Sequence, residues 1–154
     1  MFDFNKEIKL VDFGTSKLIW GNSLSAEYTG SKSFQNTTTT GFQGTVLYMA
    51  PEMAKKWKRG EEYSYDPFAS DLWSLGVTIC QCLTNDIPFT PKDKSVKSFL
   101  ECIWDPNTVP KLNEWSKKSA KIKNIILQLL SLKSEDWGTA SEILNKVGGC
   151  PDFR

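Results

Sequence analysis

The 154-residue chain is 40% hydrophobic, 24% charged and 12% aromatic, with 19 basic side chains against 18 acidic ones and no histidine. This is the composition of one globular domain long enough to bury a core, and it excludes a chain disordered throughout. A net charge of +1 sets up no long-range field toward polyanions, so neither nucleic acid nor an anionic membrane is expected as a partner.

From Phe2 to Val11 the pattern predicts a short β-hairpin: Phe2 and Phe4, a turn at Asn5-Lys6, then Ile8 and Leu10 alternating with Lys9. Asp12-Phe13-Gly14 closes it. Residues 16–43 keep no helical or strand period and gather Ser, Thr, Asn and Gly, including four threonines from Thr37 to Thr40. That stretch predicts a long loop that is functional, disordered or both. Lys55, Lys56, Lys58 and Arg59, followed by Gly60, Glu61 and Glu62, read as a solvated surface loop, with a docking role for the basic cluster as the other reading.

Leu72, Trp73, Leu75, Val77, Ile79 and Leu83 fall on every side of a helical wheel, which predicts a helix buried all round at the centre of the core. Pro88 and Pro91 break continuity, and Phe89 between them is expected to pack inward. A further helix is expected over Ser95 to Trp104. Ile122, Ile125, Ile126, Leu129 and Leu130 share one face of an amphipathic helix by their spacing. Thr139 and Glu142 make a capping-box pattern, opening a last helix with Ile143, Leu144 and Val147 inward and Gly148-Gly149 as its stop.

No run approaches the roughly eighteen apolar residues of a membrane span, and Met1 to Asn5 has no basic region followed by an apolar one. A cytoplasmic location, the nucleus included, is expected. Cys80, Cys82, Cys102 and Cys150 lack metal-ligand spacing and are too sparse for a disulfide scaffold. They are expected as reduced thiols, with Cys80 and Cys82 on different faces of their helix.

Three strings carry the candidate chemistry. Ile8 to Gly14 reads Ile-Lys-Leu-Val-Asp-Phe-Gly, Gly44 to Glu52 reads Gly-Thr-Val-Leu-Tyr-Met-Ala-Pro-Glu, and Ser70 to Val77 reads Ser-Asp-Leu-Trp-Ser-Leu-Gly-Val. In that order and spacing they resemble the activation segment and following buried helix of a eukaryotic protein kinase of the serine/threonine type. The resemblance implies a mainly α fold, the C-terminal lobe of an α+β kinase domain, with the short β-hairpin at its start. It implies one partial domain over residues 1–154, with the activation segment at 12–52 and a helical subdomain at 70–149. The family's glycine-rich phosphate loop and strand lysine do not occur in these residues, and a chain without histidine has no His-Arg-Asp loop. The N-terminal lobe and catalytic loop are therefore expected to be missing, and no catalytic-base residue is present.

By the same resemblance, Asp12 is a ligand of the Mg²⁺ that bridges nucleotide phosphates. Phe13 packs into the core, and Gly14 allows a sharp backbone turn. Thr45 and Glu52 belong to the substrate-positioning part of the activation segment, and Phe42, Val46 and Met49 line an apolar pocket for a substrate residue. A plain core role for Phe42 to Met49 is the other reading. Thr45 and Tyr48 follow the serine/threonine pattern, and Thr15 leans toward threonine acceptors. Thr40 is the candidate phosphosite, where added charge would order the loop. Asp71, Trp73 and Gly76 are structural, Asp71 as the buried aspartate that holds the catalytic loop.

Two departures from the family pattern stand out. Trp137 occupies the position of the arginine that pairs with the glutamate at Glu52, and Gln81 replaces a frequent glutamate, which leaves a preference for basic substrates unsupported. The expected function is ATP- and Mg²⁺-dependent phosphoryl transfer to Ser or Thr of a protein substrate by a complete kinase of which this is one lobe, with an upstream kinase as a further partner. The fragment alone is expected to be inactive and to bind nucleotide weakly. The alternatives are a non-catalytic module that binds kinase substrates or regulators, and assembly with a complementary fragment.

Overall fold

The computed structural model describes residues 1, 3–16, 38–39, 45–59, 63–89, 91–93, 95–104 and 119–148. Within these, five α-helices follow one another: α1 (Pro51–Arg59), α2 (Pro67–Thr84), α3 (Val96–Trp104), α4 (Ala120–Leu129) and α5 (Ala140–Gly148). A two-residue strand β1 (Thr38–Thr39) pairs antiparallel with β2 (Tyr63–Ser64), Thr38 opposite Ser64 and Thr39 opposite Tyr63. The architecture is mainly α, as expected. Among the described residues no helix is long and apolar enough to cross a membrane.

Helix α2 starts earlier than its apolar residues suggest because Asp66-Pro67 supplies both start signals. The Asp66 carboxylate accepts the backbone N–H groups of Phe68 (2.9 Å) and Ala69 (3.2 Å), and Pro67 fixes φ at the first turn. Asn85 ends the helix in the left-handed region, φ 56°, its N–H donating to Gln81 O at 2.8 Å. Leu72, Trp73, Gly76, Val77 and Cys80 are buried. Asp71, Leu75, Thr78 and Cys82 form an exposed stripe at helical spacing, so burial on every side is corrected to burial on all but one. Among the described residues nothing covers this stripe, while α4 and the turn at Val46–Tyr48 pack on other faces of α2.

Helix α4 presents the predicted face: Ile122, Ile125, Ile126 and Leu129 are buried, with Leu130 just beyond, and the Ser119 hydroxyl caps the start by accepting Ile122 N–H at 3.4 Å. It crosses α2 at Gly76, where a Cβ would stand 2.8 Å from Leu129 Cβ and 3.1 Å from Leu130 Cδ2. Only a hydrogen fits there. The capping box at α5 is reciprocal, Glu142 N–H donating to Thr139 Oγ1 (3.2 Å) and Thr139 N–H to Glu142 Oε2 (2.8 Å). Ile143 is buried as expected and Val147 packs on the core, but Leu144 is 69% exposed. The last turns of α5 rest on α4 along one edge only.

Two further expectations change. Lys55 to Arg59, read as part of a surface loop, belong to helix α1: Pro51 fits the first turn, Glu52 complements the N-terminal dipole, and Met53 and Ala54 are buried. The N-terminal β-hairpin is not formed. Met1 and Lys9 exchange hydrogen bonds and Asp3 and Glu7 close a turn, yet Phe4, Ile8 and Leu10 are exposed, so no apolar face is buried to stabilise strands. Phe2 lies outside the described residues. Phe89 does pack inward, at 2% exposure.

Gly76→Ala is expected to destabilise the chain by about 1–3 kcal/mol through overpacking at the α2–α4 crossing. Leu144→Ser, on the open side of α5, should shift stability by no more than about 0.5 kcal/mol. Thermal denaturation of both variants beside the parent checks the pair, and equal losses would contradict the crossing as described.

Candidate functional site

At Asp12 the chain adopts the left-handed conformation, φ 63° and ψ 74°, which aspartate tolerates better than most residues. Its Oδ1 accepts Gly14 N–H at 3.3 Å, opening a 3₁₀ turn over Phe13–Thr15 that Ser16 closes by donating both N–H (3.0 Å) and hydroxyl (2.6 Å) to Phe13 O. The sharp turn therefore falls on Asp12 and not on Gly14. Phe13 is 69% exposed, which corrects the expectation that it packs into the core. Nothing described covers it.

The segment from Thr45 is held much more firmly. Thr45 is extended and exposed, Val46–Tyr48 make a 3₁₀ turn, and Met49 and Ala50 are buried at 2% and 0% exposure before Pro51 begins α1. The Tyr48 hydroxyl donates to Gln81 Oε1 at 2.8 Å, pinning the turn to α2. Val46 is half-buried at the edge of the core, so of the predicted pocket residues Val46 has a face left for a ligand while Met49 belongs to the core. Glu52 is half-buried in the first turn of α1. Phe42 and Thr40 lie outside the described residues.

Behind this segment stands an aromatic cluster. Trp73 stacks on Phe89 (centroids 5.5 Å, planes 4° apart) and meets Trp137 at 5.7 Å and 47°. Such pairs add about 0.5–1.5 kcal/mol each beyond the area they bury. Trp137, fully buried, is fixed from three sides: its Nε1–H donates to Ser131 O (2.7 Å), its N–H to Ser134 O (3.3 Å), and its carbonyl accepts Gln128 Nε2 (3.1 Å). Gln128 in turn accepts Lys146 Nζ at 2.6 Å. The tryptophan at this position thus fills space in the core where an ion pair was the family expectation. Trp73 Nε1–H is buried with no hydrogen-bond partner among the described residues, a cost of about 1–3 kcal/mol carried by its packing.

Asp71 differs from expectation: it lies on the exposed stripe of α2 and its carboxylate accepts no hydrogen bond among the described residues. Partial desolvation by its surroundings raises its carboxyl above the ordinary aspartate value of 3.8. Cys80 is buried, its thiol pushed up by desolvation, Cys82 is exposed, and both are free. No group of three or more His, Cys, Asp or Glu converges to hold a metal ion among the described residues. Asp12 offers one carboxylate, which fits a single ligand of Mg²⁺ shared with phosphate oxygens but does not make a metal site by itself. The Tyr48–Gln81 bond and the packing of Trp137 were not foreseen as such. Gln81 gave no periodic signal, and a lone tryptophan does not announce its neighbour.

Residues 1–147 match the family model described as protein kinase domain. Among curated proteins, mitogen-activated protein kinase kinase 3 of Arabidopsis thaliana is 30% identical over 128 residues, covering 83% of this chain and 21% of that protein. Mitogen-activated protein kinase kinase 8 of the same plant is 28% identical, covering 91% and 40%. Serine/threonine-protein kinase 17A of Oryctolagus cuniculus is 32% identical, covering 90% and 29%. The chain therefore spans well under half the length of these relatives. Among solved structures, Rad53 1-466 in complex with AMP-PNP is similar in fold, with a TM-score of 0.52 at 22% identity over 68% of this chain and 25% of that one.

Because the folded Asp71 carboxyl titrates above its unfolded value, its contribution to stability is full below about pH 3.8 and lost as pH rises through the folded pKa. Asp71→Asn should accordingly raise the melting temperature at pH 7, with no gain below pH 3.8. Melting curves against pH check it, and a gain that persists in acid would contradict the assignment.

Proposed function

The chain belongs to the protein kinase family, and from that premise we propose that its residues form the substrate-holding C-terminal lobe of a serine/threonine kinase. The proposed reaction is ATP-dependent phosphoryl transfer to a Ser or Thr hydroxyl of a protein. The observation that carries the reading is the segment from Thr45 to Glu52: a turn pinned to α2 by Tyr48, with Met49 and Ala50 sunk in the core and Glu52 at the start of α1. Its rigidity suits a loop that must hold a peptide in one register. Serine/threonine specificity is supported by the names of the relatives.

In this reading Mg²⁺ and ATP, when bound, supply the phosphoryl group and neutralise charge developing during transfer. Asp12 contributes one metal ligand, its other carboxylate oxygen already drawn into the turn by Gly14 N–H. Phe13 and Gly14 link that carboxylate to the loop behind it. Thr45 is assigned to orient a catalytic group, and Phe42 and Val46 are assigned to the pocket for the substrate residue beside the acceptor, with Met49 as backing. Asp71 on the open stripe of α2 awaits N–H donors from the same catalytic loop. Trp73 and Gly76 keep α2 in place. The activation segment is 12–52 and the helical subdomain 70–149.

A second reading, a non-catalytic module that binds kinase substrates or regulators, is favoured by one observation: with no histidine and one lone carboxylate at the turn, these residues carry no general base of the family's kind.

The two readings part on the native protein. Detected through residues 111–154, a kinase lobe should run in a species much heavier than 17.4 kDa, whereas a species at 17.4 kDa favours the binding module. Calorimetry on residues 1–154 should give Mg²⁺-ATP binding weaker than about 1 mM. In the heavier species Asp12→Ala should lower phosphoryl transfer by roughly 100-fold or more.

A further inference from the structure

We infer that Gln81 is a specificity-determining residue: its side-chain amide selects, from a peptide lying along the turn at Val46–Tyr48, an uncharged hydrogen-bond acceptor such as Asn, Gln, Ser or Thr, and turns away Lys, Arg, Asp and Glu. That a peptide lies there rests on the kinase reading, while the chemistry of the amide stands on the hydrogen bonds of this chain. A primary amide has one acceptor end and one end that carries two donors. The Tyr48 hydroxyl donates to Oε1 at 2.8 Å and thereby fixes which end is which. Nε2 stands on the other side of the amide carbon, and no group among the described residues accepts from it. Gln81 is half-buried, and its Nε2 is open to the outside.

The surroundings decide which partner suits a pair of neutral N–H donors. Residues 45–51 and 72–84 contain no Asp, Glu, Lys or Arg. A charged peptide side chain entering here meets no counter-ion on either element, and desolvating it unpaired is costly. Lysine and arginine carry donors only and would set N–H against N–H. A carboxylate would accept from Nε2, but α2 ends three residues later at Thr84, where its C-terminal carbonyls carry partial negative charge, and Asp86 follows. A neutral amide or hydroxyl oxygen escapes both penalties. The neighbouring hydroxyls are turned back into their own helix, Thr78 Oγ1 donating to Ser74 O at 2.8 Å and Thr84 Oγ1 to Cys80 O at 2.9 Å. One amide therefore has two tasks, holding Tyr48 with its oxygen and reading the peptide with its nitrogen.

Glutamate is the discriminating substitution, because Gln81→Glu keeps an oxygen for the Tyr48 hydroxyl and exchanges the donors for a second acceptor and a negative charge. The test uses residues 1–154 with alanine-based peptides that carry one threonine and, at each flanking position in turn, Asn, Arg or Glu. The Gln81 Nε2 resonances in a ¹H–¹⁵N spectrum, recognised by their loss in Gln81→Glu, report the contact. With Asn at one flanking position these resonances should shift, and that peptide should bind about three- to tenfold more tightly than its Arg or Glu counterpart, the effect of one neutral hydrogen bond. In Gln81→Glu the Arg peptide should become the tightest of the three. An Arg or Glu preference in the parent, the same order in both proteins, or no movement of the Nε2 resonances with any peptide overturns the inference. Phosphoryl transfer by the heavier native species, measured on the same peptides, keeps the two readings apart. Transfer without an Asn preference sinks the role of Gln81 alone, whereas the binding order without any transfer sinks the kinase reading and leaves that role standing.

Discussion

The packing of Trp73 between Phe89 and Trp137 is the contact on which the other helices depend. It joins the middle of α2 to the turn that follows α2 and to the turn that precedes α5, three pieces of chain with no hydrogen-bonded ladder between them. Helix α4 reaches the same place from another direction, its Leu129 set against Gly76 one turn along. Removing a ring here would open a cavity that a helical core cannot collapse into without shifting α2. Because α2 also holds Gln81, any such shift reaches the Tyr48 hydroxyl and with it the turn at Val46–Tyr48.

The two ends of the segment from Asp12 to Glu52 are consequently unlike each other. Around Thr45 to Glu52 the backbone enters the core at Met49 and Ala50 and is fastened by a side-chain hydrogen bond across 33 positions in sequence. Around Asp12 to Ser16 the only described hydrogen bonds are local, within four residues, and every side chain is exposed. Local bonds fix a turn's shape but not its place in the molecule. A carboxylate on such a turn has a defined local conformation that no described contact ties to the core.

Much of this was legible in the sequence, for reasons that differ by element. Ile122 to Leu130 carried a clear 3.6-residue period, and the capping box at Thr139 and Glu142 is a short-range device whose partners are fixed by spacing alone. The family motifs pointed to the fold. What misled was context. Phe4, Ile8 and Leu10 alternate as a strand would, but alternation stabilises a strand only when something covers its apolar face. Leu75 among apolar neighbours read as core, whereas its stripe has no helix against it among the described residues. The lysines after Ala54 hid a helix because charge marks exposure, not the absence of a period, and Met53 with Ala54 was too short an apolar signature to show it.

The aromatic packing of Trp137 decides which conditions this junction responds to. An ionic clasp weakens as salt screens it. An aromatic one is indifferent to ionic strength and follows the thermodynamics of apolar hydration, whose driving force near room temperature is entropic and fades on cooling. The attachment of the turn before α5 to the body of the protein is thereby made insensitive to the ionic milieu and sensitive to cold.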